Sequence, residues 1–244
     1  MNITFLDPDI STWIQRRVIP LRSSGPHVST VLVGMLKEAM PRQYATYTKV
    51  EDGARVPAFE AGYLWEDALA TALAARIHLE PSHRLMPPQE ITRDGIHGTP
   101  DRVLWDSARD RWIVEELKAT WYSSGELEVS PQALMNNRKF TYWTLQAKTY
   151  AAMLLHHWPN TERIQSFEDG GIILRPSLSP IARIRALFVN GNYKRSQNTD
   201  TRAQPLCWEI DWTPTELDDW WAAVRRYVDR TTSQDTSTQE NQNA

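Results

Sequence analysis

A single cysteine, Cys207, stands among the 244 residues of this chain. That excludes an intramolecular disulfide, and with it any zinc or iron–sulfur site built from cysteines alone. Such scarcity suits a reducing cytosol. Positive charge is not in excess either, since 27 lysines and arginines face 30 aspartates and glutamates for a formal charge of −3. The whole-molecule field therefore does not gather nucleic acid, and any polyanion site must be a local basic patch. No run approaches the ~20 apolar residues of a membrane span. The first residues include Asp7 and Asp9 and hold no apolar stretch of signal-peptide length. The expectation is a cytoplasmic protein with no membrane partner. No internal repeat is visible.

What the chain does have is apolar content, 41% of its residues, enough for a sizeable core in one domain. We expect that domain to span residues 1–230, its core about 25–230, followed by a disordered tail over 231–244 that is almost all Ser, Thr, Gln, Asn and Asp. The 11 tryptophans suit either a core or platforms for stacked bases.

Periodicity orders the rest. A short amphipathic helix is expected over 10–17, and a second from an N-cap at Ser29 or Thr30 through Val31, Leu32, Met35 and Leu36 to Pro41, with Lys37 and Arg42 around it. Tyr63, Leu64, Leu69, Leu73 and Ile77 recur at helical spacing over 58–77. Glu66 follows Gly62 by one turn and lies on that helix's apolar stripe, so it needs either a basic partner or a metal. After a proline-rich connection (Pro81, Pro87, Pro88), a short strand is expected over 90–93 and a turn at Asp94-Gly95. The segment 122–137 reads as a loop able to cover a site, and 160–169 as polar loop. A long helix is expected over 138–156, with Lys139, Tyr142, Gln146, Tyr150 and Met153 on one face. Strands follow over 171–174, 183–189 and 206–212. Between the last two, Lys194 and Arg195 offer a local basic cluster. Thr213-Pro214-Thr215-Glu216 opens a final helix to about Arg230 with a capping box.

The chemistry concentrates in residues 96–120, expected to fold as one β-hairpin with its turn at Ser107-Ala108-Arg109-Asp110. Strand alternation turns Glu116 and Lys118 to the same face and Glu115 and Leu117 to the other. With Asp101 on the opposing strand, two acids and an amine converge. That suits a hard divalent cation beside a lysine that handles water or phosphate.

Pro100-Asp101 with Glu116-Leu117-Lys118 resembles the PD-(D/E)xK nuclease superfamily. Further motifs point to its RecB-type and phage lambda-exonuclease-like branches: Gly98-Thr99-Pro100-Asp101, Gln146-Ala147-Lys148-Thr149-Tyr150, Gly62-Tyr63-Leu64-Trp65-Glu66, and Met40-Pro41-Arg42. Met40 stands where cluster-bearing relatives have cysteine, so no iron–sulfur cluster is expected. The resemblance implies an α/β fold with a mixed central β-sheet flanked by helices, the restriction-endonuclease-like αβββαβ core. It implies Glu66, Asp101, Glu116 and Lys118 as catalytic residues. Asp101, Glu116, the Leu117 carbonyl and Glu66 would hold Mg²⁺, with Mn²⁺ able to substitute, and Gln146 and Tyr150 would brace the lysine or a phosphate. Arg42, Lys139, Lys194 and Arg195 are candidate DNA contacts. The implied activity is DNA phosphodiester hydrolysis, by an exonuclease of recombination, repair or end processing. A sequence- or structure-specific endonuclease and a silent DNA-binding subunit are the alternatives. The resemblance also implies the cytosol of a bacterium or a phage-infected host. A single-strand annealing protein or other recombination factor would be a partner, and a homo-oligomer is allowed.

Overall fold

The computed structural model describes residues 24–44, 57–75, 82–86, 90–120, 137–156, 163–165, 172–174, 179–189 and 204–242. The expected helix at 10–17, the loop at 122–136 and the Lys194–Arg195 cluster lie outside them. Helix α1 (Val28–Ala39) is followed by the single turn α2 (Pro41–Tyr44). The α1 helix begins before Ser29, because the amides of Thr30 and Val31 both close onto the His27 carbonyl at 3.0 Å. His27, not Ser29 or Thr30, is thus the N-cap, and no side chain caps the helix. This start lets Val28 join Val31, Leu32 and Leu36 on the buried face.

Helix α3 (Pro57–Ala75) precedes a strand the sequence reading missed, β1 (His83–Met86), lying where only a proline-rich connection was expected. Next come β2 (Ile91–Arg93) and β3 (Ile96–Gly98), a separate two-stranded antiparallel ribbon. Asp94 and Gly95 turn it, both at positive φ (51° and 76°), the geometry that tight two-residue hairpins require. The expected single hairpin over 96–120 is therefore corrected: Ile96–Gly98 pairs back onto β2, and Thr99-Pro100 separates it from β4 (Arg102–Asp106). The true hairpin joins β4 to β5 (Arg111–Thr120). Its turn is built by the Asp106 carboxylate, which accepts from the amides of Ala108 (3.0 Å) and Arg109 (3.3 Å).

Helix α4 (Arg138–Leu155) is capped by the Asn137 side chain on the Lys139 amide. A second ribbon, β6 (Arg163–Gln165) with β7 (Ile172–Leu174), places a strand within what was read as polar loop. Strands β8 (Ile181–Phe188) and β9 (Gln204–Asp211) complete a sheet of order β1-β4-β5-β8-β9. Only the β5–β8 pair is parallel; the other three pairs are antiparallel. The order α3, β1, β4, β5, α4, β8 is the αβββαβ core, a mixed sheet flanked by helices.

Helix α5 (Pro214–Gln242) opens with a reciprocal capping box: Thr213 N–H donates to Glu216 at 2.8 Å, and the Glu216 amide donates to the Thr213 hydroxyl at 3.2 Å. It continues past Arg230 to Gln242, where a disordered tail was expected. No Gly or Pro interrupts that stretch, and Thr231, Thr232 and Ser233 return their hydroxyls to carbonyls three or four residues back.

Two apolar layers hold α4 in place. Phe140, Trp143 and Ala147 pack on Ala182, Ile184, Ala186 and Phe188 of β8, while Tyr150, Ala151 and Met153 pack toward α1 and α5. Trp105, Trp112, Trp143 and Trp221 are core residues, which settles their role as packing; Trp65 is 42% exposed.

Candidate active site

The alternation of β5 decides the site. Glu116 and Lys118 share the face that carries Trp112 and Val114, in the same core cluster as Tyr150, while Glu115 and Leu117 face the other way. Lys118 Nζ lies 2.6 Å from Glu116 Oε2 and 3.6 Å from Asp101 Oδ2. Asp101 stands in the bend before β4 rather than within a strand, and its Oδ2 accepts the Leu117 amide at 2.7 Å. A strand residue directs its N–H and C=O to the same edge, so the Leu117 carbonyl also faces the Asp101 side. The pairing of β4 with β5 starts only at Arg102 and Glu115, which leaves that edge of Leu117 beyond the ladder. Glu66, from α3, accepts the Ala119 amide one residue beyond Lys118.

The electrostatics follow from three acids around one amine. Glu116 is fully buried, and burial first, then the charges of Asp101 and Glu66, push its carboxyl up to about 8 against the pull of Lys118. Burial, then Asp101, likewise raises Glu66 to about 7, opposed by Lys118 and the Ala119 amide. Burial disfavours the Lys118 ammonium, but Glu116, Asp101 and Glu66 outweigh it and hold that group charged, well above its ordinary value.

Gln146 Nε2 donates to the Tyr150 hydroxyl at 3.3 Å. Burial, followed by the Glu116 charge, raises the Tyr150 phenol, so this hydroxyl remains a proton donor. Both side chains therefore stand at the Lys118 face. Glu115, the neighbouring acid, belongs to another structure: Arg102 and Arg185 each approach it at 2.5 Å and Arg183 at 3.5 Å. The sequence reading missed this arginine cluster. Its one local signal is Arg183-x-Arg185, the alternation that puts both on one strand face.

Among the candidate nucleic-acid contacts, Arg42 is exposed on α2 and Lys139 half-buried on α4. The Tyr44 hydroxyl joins the two elements by donating to the Arg138 carbonyl at 2.6 Å. That brings Arg42, Arg138 and Lys139 onto neighbouring elements.

The expectation that the carboxylates of Glu66, Asp101 and Glu116 converge is corrected in one respect. Among the described residues no three His, Cys, Asp or Glu side chains meet as ligands of one ion. Instead the Lys118 ammonium sits against Glu116 and Asp101. The chemistry of the donor set would still suit a cation. Glu116 Oε1 is buried without a hydrogen-bond partner among the described residues, and three acids share a single lysine. An unpartnered buried carboxylate oxygen is costly unless something positive reaches it.

No protein-family model matches the chain. No curated protein is similar to it by sequence. Among solved structures it is similar to an alkaline exonuclease (LHK-Exo) from Laribacter hongkongensis, at 13% identity and a TM-score of 0.36, over 93% of this chain and 99% of that one. It is also similar to SSO0001, at 10% identity and a TM-score of 0.36, over 89% of this chain and 83% of that one. Likenesses this distant leave its function to be read from its own residues.

Proposed function

We propose that this protein is a metal-dependent deoxyribonuclease, most simply an exonuclease acting at DNA ends in phage-type recombination or repair. The observation that carries this reading is the position of Lys118, 2.6 Å from the buried Glu116 and 3.6 Å from Asp101, with Glu66 held one residue further along β5. Glu116 and Asp101, with the Leu117 carbonyl, would hold Mg²⁺ or its substitute Mn²⁺, and Glu66 would complete the set. The ion supplies positive charge against the scissile phosphate and acidifies water. To bring the acids together the Lys118 ammonium must leave Glu116. It is then free to donate to the attacking water or to a non-bridging phosphate oxygen. Asp101 is anchored by the Leu117 amide. Tyr150, steadied by Gln146, offers a hydroxyl at the same spot. Arg42 and Lys139, with Lys194 and Arg195, would take the flanking phosphates. In this reading a single-strand annealing protein is the natural partner, because resected ends expose single strands. A homo-oligomer enclosing DNA would keep the enzyme on its substrate.

End-labelled linear and closed circular DNA incubated with Mg²⁺ test the proposal. Degradation of linear DNA alone, lost in Lys118→Ala, is the expected result. Nicking of circles would make the enzyme an endonuclease, and binding without cleavage of either DNA would overturn the enzymatic reading.

A further inference from the structure

We infer that Gly98 is a positioning residue for this site: its missing side chain sets where the Tyr150 hydroxyl stands against Asp101, Glu116 and Lys118. The kinetic part of the inference rests on the proposed nuclease activity; the geometric part does not.

Glycine is not needed at position 98 for its backbone, since among the described glycines only Gly25 and Gly95 have positive φ. Space is the reason. A Cβ on Gly98 would lie 2.5 Å from Tyr150 Cε1, 3.1 Å from its Cδ1 and 2.9 Å from Val28 Cγ2. None of these neighbours can yield easily. Val28 is 1% exposed at the start of α1, Tyr150 is 4% exposed, and Ala151, Ala152 and Met153 beside it on α4 are fully buried. Gly98 itself is pinned by pairing with Ile91 across the β2–β3 ribbon.

The contact falls at a telling place on the ring. Cε1 is bonded to the carbon that bears the hydroxyl, so an added methyl presses on the polar end. Relief from 2.5 Å to an ordinary carbon–carbon contact requires a shift of about 1 Å. That end is held by Gln146 at 3.3 Å and feels the charges of Glu116, Asp101 and Lys118. A misplacement of this size at a reacting centre costs about 10²-fold in rate.

A double-mutant cycle separates positioning from plain packing. Tyr150→Phe keeps the ring, and so the clash, but lacks the hydroxyl. Gly98→Ala is expected to lower kcat on linear DNA 10- to 100-fold in the native background, and by no more than about twofold in Tyr150→Phe. The melting temperature should fall equally in both. Equal losses of kcat in the two backgrounds overturn the inference, because the hydroxyl then plays no part. A crystal structure of Gly98→Ala gives an answer independent of catalysis: a hydroxyl displaced by about 1 Å, with the Gln146 contact opened, is expected. An unmoved hydroxyl overturns the inference even if the native protein proves not to cut DNA. Should Gly98→Ala fail to fold, adding Tyr150→Leu, which relieves the 2.5 Å contact, should restore folding, and adding Val28→Ala, which relieves the 2.9 Å one, should not. If Val28→Ala restores folding and Tyr150→Leu does not, Val28 rather than Tyr150 refuses the methyl, and the assignment falls.

Discussion

Replacing Glu116 by glutamine should make the metal-free protein more stable while ending its proposed activity. The carboxyl is fully buried, and burial with the nearby acids holds it at about 8, above the ordinary 4.5. The folded state therefore binds this proton more tightly than the unfolded chain does. Stability contributed by the protonated form is full below pH ~4.5 and declines as pH rises toward ~8. At ~1.4 kcal/mol per pH unit the gap between those values sets a ceiling near 5 kcal/mol. That ceiling already nets the pull of Lys118, which keeps Asp101 at 3.6 Å in the variant, so a gain of about 2–5 kcal/mol is expected at pH 9. Urea unfolding of both proteins in EDTA at pH 5, 7 and 9 reads this directly. The curves should nearly coincide at pH 5 and separate by pH 9, with the variant unfolding at higher urea. A variant equally or less stable at pH 9 would refute the claim that this carboxylate is a strained element of the metal-free fold.

Three further outcomes follow from the same geometry. Mn²⁺ binding at pH 6.5 should release about one to two protons, because Glu66 (about 7) and Glu116 (about 8) must both ionise. Titration calorimetry in buffers of different ionisation enthalpy measures that release, binding should tighten from pH 6 to 9, and zero release would contradict the ligand assignment. Glu115→Gln removes the anion shared by Arg102, Arg183 and Arg185 and should cost ~3–5 kcal/mol in urea unfolding. The Mn²⁺ affinity of the folded variant should stay near native. Arg42→Ala with Lys139→Ala should weaken binding of short duplexes in Ca²⁺ and reduce the slope of log affinity against log salt by about 1–2; an unchanged slope would remove these side chains from the DNA contact set.

Helices were readable from the sequence where the signal is local. Apolar spacing marks α3 and α4, and Thr213-Pro214-Thr215-Glu216 writes the start of α5. Strand alternation alone separates Glu116, beside Lys118, from Glu115, which turns to the arginines. Long-range register was not readable. β1 is an edge strand flanked by prolines, defined by pairing His83–Met86 with Val103–Asp106. The Glu115 cluster depends on the parallel register that sets Glu115 opposite Arg183. Ile96–Gly98 reads as the start of one hairpin with Asp101 because it runs directly into it in sequence; its actual partner is fixed by the Asp94-Gly95 turn behind it. Gly98 and Tyr150 both stand in recognisable motifs, yet nothing in the sequence says that one makes room for the other.

The parallel pairing of β5 with β8 also governs when the site can exist. Every acid and the lysine have been synthesised by Lys118, but β5 cannot gain its parallel neighbour until Ile181–Phe188 has left the ribosome. Non-local closure of this kind is slow, because the loop must be ordered before its contacts reward it. A nascent chain stalled before Ile181 should carry all the proposed ligands and bind no Mn²⁺, whereas one extended past Asp211 should bind it. Synthesis would thus keep the proposed catalytic groups inert until most of the chain has been made, a delay written into strand order.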